Sequence, residues 1–268
     1  MQAKTPPFIR EPADVYREKR SQFLTSHQLI DFRKCPLLYK KKKSGLIAET
    51  LGDHLLVGSA THCQTLEGRQ EFERQYIVGG PINPKTDRPY GRETKAYAEW
   101  AAEQGKPCLS DEQYALCCQL ACSVRAHSEA AKLLKTGTAE GVLRCDYAGM
   151  ACQIRVDWFN SDYGLSDLKT CDDLDKFEDD AVRYWYIEQM AFYQAIIAKH
   201  IDRLVPVHLI AVEKREPYRV GVWLIADEDL RIAESHNFLA VRCLDDATKK
   251  DNWPTWYEET RLLKRKAA

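Results

Sequence analysis

Three residues in two neighbouring stretches have the types and spacing to do chemistry together. In "GLSDLKT", residues 164–170, Asp167 and Lys169 stand two apart within an apolar run. Side chains alternate across a strand, so this pair shares one face and Leu168 takes the other. Asp157 lies ten residues upstream of Asp167, in "CQIRVDWF", and in an antiparallel hairpin the two can lie across from each other. Carboxylates that close repel one another and push one pKa up. A divalent cation removes the conflict, and two acids, a backbone carbonyl and waters are the oxygen set that Mg²⁺ prefers. The ammonium could then orient or deprotonate an attacking water, or balance charge on a phosphorane-like transition state. Taken alone, the same residues read better as strand-end salt bridges on a wet sheet face.

The elements that must position these residues follow from periodicity and caps. Residues 1–23 are polar and proline-bearing and read as an arm or a loose first turn. Thr25 and Gln28 have capping-box spacing in "TSHQLIDFRKCP", which predicts a helix that ends by Pro36. The basic run "YKKKKSG" reads as a solvated helix end or loop. A second helix is predicted over roughly 53–70 and a loop over 77–92. Further helices are predicted over about 92–104, 110–126 and 128–136, Ser110 and Gln113 forming another capping box. After Gly137 the pattern becomes a three-strand meander with turns at 148–149 and 160–164. A long helix over about 176–200, two strands within 205–224 and a last helix near 226–247 follow, then an aromatic and basic tail over 251–268. This order predicts one mixed α/β (α+β) domain over 24–250, with a helical part over about 24–136 and a sheet core over about 138–225.

Composition narrows the function classes. The chain has 268 residues, 44% hydrophobic and 29% charged, enough for one large domain or two small ones. A formal net charge of −1 rules out a global basic field, although one cleft can still hold positive potential. There is no apolar leader segment, no run approaching a membrane span and no phosphate-binding G-x-x-x-x-G-K-[ST] loop. A cytoplasmic protein is expected, with its ten cysteines reduced. No C-x-x-C pair exists, so a zinc site is not expected.

With these neighbours in view, the Asp-(about ten)-Asp-x-Lys hairpin resembles the active-site motif of the PD-(D/E)xK nuclease superfamily, here with Val156 rather than proline before the first acid. "GSATHCQTLE" sets Gly58 and His62 four apart, similar to the G-x-x-x-H helix of the RecB-like branch, whose histidine helps hold the metal. Gln189 and Tyr193 in "EQMAFYQ" share a helix face and match that branch's Q-x-x-x-Y signature. Glu140, at the start of the meander, resembles its extra acid. The set spans about residues 24–200. "TSHQLIDFRKCPLLY" also resembles the opening of branch members with an iron–sulfur cluster, but only Cys243 stands where their closing cysteine trio would be. Cys35 therefore reads as a packed residue, and no iron–sulfur cluster is expected. The stretch from His127 to Tyr193 looks instead like RecE and the phage-type (lambda-like) alkaline exonucleases.

The resemblance implies a restriction-endonuclease-like core, a mixed central sheet flanked by helices. It implies Mg²⁺-dependent hydrolysis of DNA, with Mn²⁺ as a substitute, leaving 5′-phosphate products. Asp157, Asp167 and the Leu168 carbonyl would hold the metal, with His62 or Glu140 completing its shell or serving a second ion. Lys169 would position the attacking water, and Gln189, Tyr193 and Arg155 would orient the strand or the lysine. Arg20, in "RSQFLT", resembles an arginine that faces the 5′ phosphate in phage-type exonucleases. Digestion from double-stranded ends, 5′ to 3′, by a ring-shaped trimer or tetramer with a single-strand annealing partner completes the expectation. A structure-specific endonuclease keeps the same chemistry. An inactive DNA-binding module does not, and the intact Asp–Asp–Lys set argues against it.

Overall fold

The computed structural model describes residues 5–47 and 53–262. Its N-terminal half is helical: α1 (Ala13–Glu18), α2 (Ser26–Lys34), α3 (Pro36–Lys43), α4 (Asp53–His62), α5 (Arg69–Gln75), α6 (Lys95–Gln104), α7 (Asp111–Ala126) and α8 (Ser128–Leu133). Two short ladders sit among these helices. β1 (Ile77–Val78) pairs in parallel with β4 (Cys108–Leu109), and β2 (Ile82–Asn83) pairs antiparallel with β3 (Arg88–Pro89). The C-terminal half runs β5 (Thr138–Tyr147), β6 (Met150–Asn160), β7 (Gly164–Cys171), α9 (Phe177–Arg183), α10 (Tyr186–Ile201), β8 (Val207–Glu213), β9 (Val220–Leu224) and α11 (Asp227–Lys250).

Local chemistry explains why these elements begin and end where they do. Both capping boxes form: Gln28 N–H donates to Thr25 Oγ1 at 3.3 Å and Gln113 N–H to Ser110 Oγ at 3.2 Å, with each glutamine carbonyl returning the bond. The β5–β6 hairpin closes on Ala148 and Gly149, both with positive φ (55° and 88°), the turn whose twist matches the strands. Asn160 Oδ1 accepts from the N–H groups of Asp162 and Tyr163, holding the β6–β7 turn. That turn ends on Gly164, where φ is 87° and a Cβ would run into the Pro206 carbonyl.

The five strands lie in the order β5-β6-β7-β8-β9, all antiparallel except β7 and β8. The α9–α10 crossover makes that parallel pair possible. One sheet face packs on α10, with α2 and α11 behind it, through Leu143, Ile154, Phe192 and Ile196. The other face carries Leu168, Ile210 and Val212 against Leu120 and Val124 of α7. The fold is therefore a mixed central sheet flanked by helices. Among the described residues no helix is long and apolar enough to cross a membrane.

Three stretches depart from the sequence reading. Residues 5–23 do not form a loose arm. Ile9 exchanges both backbone bonds with Val142 at 2.9 Å, Phe8 packs 5.4 Å from Phe159, and Glu11 pairs with Arg144 and Lys19. Backbone groups on the sheet edge do this work, so side-chain composition gives no sign of it. The helix expected over 53–70 changes character after His62. Cys63–Glu67 form a π-helical turn, closed by a Gly68 N–H bond to the Cys63 carbonyl at 3.0 Å. Arg125 holds the widened turn by donating to the Gln64 and Thr65 carbonyls. The helix expected over 176–200 is cut at Trp185, whose φ of 65° reorients the chain without a glycine or proline. Of the tail, residues 263–268 lie outside the described residues; Trp253 stacks on Tyr39 at 6.0 Å.

Candidate active site

The site forms where the sheet fails to close. The β5–β6 ladder pairs Ala139 with Trp158 and Gly141 with Val156, but not Glu140 with Asp157 between them. The β6–β7 ladder runs as far as Trp158 and Ser166 and stops one step short of Asp157 and Asp167. Three acids thus stand side by side on three adjacent strands at a gap in both ladders. Glu140 takes a left-handed φ of 52° there, a strain of about 1–2 kcal/mol for a residue with a Cβ. On β6 the alternation changes phase across the gap, Ile154 and Val156 facing the main core before it and Phe159 after it. In place of a ladder bond, Leu168 N–H donates to Asp157 Oδ2 at 2.9 Å.

Around this gap the sequence-predicted residues assemble. Asp167 is 2% exposed, and its Oδ2 lies 2.5 Å from Lys169 Nζ. Lys169 also donates to Gln189 Oε1 at 3.3 Å, and Gln189 Nε2 donates to the Tyr193 hydroxyl at 3.4 Å. Gln189 and Tyr193 are themselves buried. Of the two roles implied for them, orienting the lysine suits this position, and contact with a DNA strand does not. His62 Nδ1 stands 3.3 Å from Asp157 Oδ2. Gly58, one turn earlier on α4, faces β7, with Thr170 Oγ1 3.5 Å from where a Cβ would sit. Arg155 Nε is 2.8 Å from Glu140 Oε2, so the arginine meets an acid of the site. Arg20 sits in the 3₁₀ turn Lys19–Ser21 and lines a cavity of about 70 Å³ with Tyr39 and Lys43.

The electrostatics show an excess of buried negative charge. Burial, then the neighbouring Asp157, pushes the Asp167 carboxyl up to about 7, against the pull of Lys169. Burial and Asp157 likewise push Glu140 up to about 8, with Arg155 opposing. Burial lowers His62 despite Asp157. Burial also acts to lower Lys169, but Asp167 and Asp157 outweigh it, and its pKa is raised. Buried acids crowded in this way suit a divalent cation, and Asp157, Asp167, Glu140 and the Leu168 carbonyl are the hard oxygen donors that Mg²⁺ or Mn²⁺ takes. Among the described residues no three histidine, cysteine or acid side chains already converge as a ligand set. Each acid leans on a neighbour: Asp157 on the Leu168 N–H, Asp167 on Lys169, Glu140 on Arg155. Binding a cation would exchange some of these contacts for metal–oxygen bonds.

Two further residues belong to the site and escaped the sequence reading. Tyr186 lays its ring 4.6 Å from Lys169 Nζ; the aromatic triplet at 184–186 was the only hint. Glu67, at the end of the π turn, lines a cleft of about 480 Å³ beyond Glu140, together with Arg10, Arg74, Arg155 and Trp158. In a regular α-helix a residue five after His62 points away from it, so α-helical spacing could not find Glu67.

No curated protein sequence matches the chain. A solved structure similar to it is that of a protein from Eubacterium rectale, provisionally described as an exonuclease. It is 15% identical, with a TM-score of 0.70 over 97% of either chain, a likeness of fold. Residues 25–266 match the family described as a PDDEXK-like domain of unknown function (DUF3799). The chain therefore belongs to this PDDEXK-like family, within the PD-(D/E)xK nuclease superfamily.

Proposed function

We propose that the protein is a metal-dependent exodeoxyribonuclease that hydrolyses one strand from the ends of double-stranded DNA, 5′ to 3′, in the manner of RecE and the lambda-like phage exonucleases. The observation that carries this reading is Lys169, fixed between the Asp167 carboxylate and the Gln189 carbonyl beside the Asp157 gap. Asp157, Asp167 and the Leu168 carbonyl would hold Mg²⁺ or Mn²⁺, with Glu140 or His62 beside it; the ion supplies charge neutralisation at the phosphate and a more acidic water. Lys169 orients the attacking water and offsets charge building on the phosphate oxygens. Gln189, backed by Tyr193, holds the Lys169 ammonium in place for this role. Water adds to phosphorus as it gives up a proton to solvent, the bond to the 3′ oxygen breaks, and that oxygen takes a proton from solvent, leaving a 5′-phosphate and a 3′-hydroxyl.

The description of the Eubacterium rectale protein favours an exonuclease over an endonuclease. In the same reading Arg20 faces a 5′-terminal phosphate, for which a planar guanidinium is well shaped. A trimeric or tetrameric ring and a single-strand annealing partner would complete the machinery. Linear and covalently closed circular duplexes of one sequence, each incubated with Mg²⁺, test the central claim. Degradation of the linear form with the circle untouched is expected, and chelator should stop it. Cutting of the circle would replace the exonuclease with an endonuclease. Undiminished cleavage in excess chelator would remove the two-carboxylate account.

A further inference from the structure

A short turn beside Lys169 sets an exposed tyrosine ring against a half-buried one that packs on Phe177. From the last residue of α9 to the first of α10 the chain runs Arg183, Tyr184, Trp185, Tyr186, and Tyr184 is 49% exposed. Trp185 holds its left-handed φ of 65°, unfavourable for a bulky residue. Its ring turns to Arg33 of α2, 4.4 Å away. The rings of Tyr184 and Tyr186, two residues apart, lie 5.9 Å from each other at 33°. The inner ring, Tyr186, is the one against Lys169 at 4.6 Å. The outer ring, Tyr184, carries the Arg183 guanidinium 5.4 Å from its centre. Two rings therefore lead from solvent to the reacting lysine, with a cation at each end.

The surrounding charge is mixed. Glu178, Asp179 and Asp180 occupy the first turn of α9, and Glu178 accepts from Trp223 Nε1 at 3.0 Å. Attraction to phosphate alone would not select such a surface. What it offers is π-faces, on which nucleobases stack with little regard to sequence, plus a guanidinium that can lie along a backbone. An exposed aliphatic patch could seat a protein partner, but neither the tilted ring pair nor its approach to Lys169 would be needed for that.

We propose that Tyr184 and Tyr186 form a stacking platform for unpaired bases of the DNA strand next to the phosphate being cut, with Arg183 along its backbone. The proposal rests on the nuclease reading and names how that site grips its substrate. Binding of a fluorescein-labelled single-stranded oligonucleotide is measured by anisotropy in excess chelator, where no cleavage occurs. Tyr184→Ala should weaken binding about tenfold, and Tyr184→Phe should restore it. The salt dependence should keep its slope, because no phosphate contact is lost. An abasic strand should lose a similar factor with the wild-type protein, and little more when combined with Tyr184→Ala, because variant and lesion remove the same contact. Unchanged binding by Tyr184→Ala, or losses that multiply in full, would overturn the platform. Linear duplex with Mg²⁺, run on the same preparation, separates the two claims. A wild-type protein that cuts DNA while Tyr184 has no effect loses only the platform, whereas one that neither binds nor cuts loses both.

Discussion

Acids and bases crowd two places on the sheet, and the two crowds behave oppositely. At the β8–β9 turn Arg219 meets Glu213 at 2.8 Å, Asp175 at 3.0 Å and Asp173 at 3.8 Å. Hydrogen bonds from Arg219 hold the Glu213 carboxyl below its ordinary range, and Lys176 does the same for Asp173. At the Asp157 gap, burial and acid–acid repulsion raise Asp167 and Glu140. The residue types are the same. The first cluster is satisfied by its own cations, Arg219 reaching the buried Glu213 and the exposed Asp175 alike. The second lacks positive charge in a place that water cannot relieve, and perturbation of this kind is what functional sites display. An ion pair is therefore informative less by its presence than by the direction in which it leaves its carboxylates.

Removing the lysine should separate the two clusters most sharply. Lys169→Ala should lower kcat at least about a thousandfold while DNA affinity changes little, because the ammonium acts on the transition state. A variant that keeps most of its kcat would make Lys169 a salt-bridge partner like Arg219. His62→Ala should raise the Mg²⁺ or Mn²⁺ needed for half-maximal activity roughly tenfold, with partial rescue by excess metal. A variant of lowered Tm but normal metal titration would place His62 among packing residues.

A pH titration of stability probes the charge excess itself. Glu140 and Asp167 hold protons in the folded protein up to about 8 and about 7, whereas the unfolded chain releases them near 4. Their contribution to stability is complete below that unfolded value and is lost as pH rises through the folded one. Above pH 6.5, the ordinary value for His62, the metal-free protein should lose about 2–4 °C of Tm per pH unit. Glu140→Gln should flatten the slope, and saturating Mg²⁺ should reverse it. A Tm rising across pH 6.5–8 in chelator would show that the acids are not in excess. The smallest effect on catalysis belongs to the satisfied cluster: Arg219→Ala should leave kcat within about twofold, while Tm falls because the buried Glu213 loses its partner.

What the sequence disclosed was whatever depends on fixed spacing. Asp167 and Lys169 share a face because a strand alternates, Thr25–Gln28 and Ser110–Gln113 cap because N-cap and N3 are three apart, and Gly58 and His62 lie on one helix face. Hidden were the places where the backbone leaves its regular period. Glu140 and Trp185 take left-handed φ values without being glycine, asparagine or aspartate, so no residue type flags them. The opening around Asp157 depends on two ladders lapsing at one level, a fact about three strands together. The edge pairing of Ile9 uses main-chain groups common to every residue.

The wide turn at Cys63–Glu67 makes chain length itself a requirement. Each helical residue adds about 100° of rotation and about 1.5 Å of rise, and a π turn stores one residue more than its axial length needs. Substitutions inside the turn leave that surplus in place. A one-residue deletion would remove it, allow ordinary α-helical bonds to form past His62, and swing Glu67 and the start of α5 around the axis away from the cleft. The shortened helix would be more regular and the cleft wall misplaced. This segment should therefore accept changes of residue far more readily than changes of length.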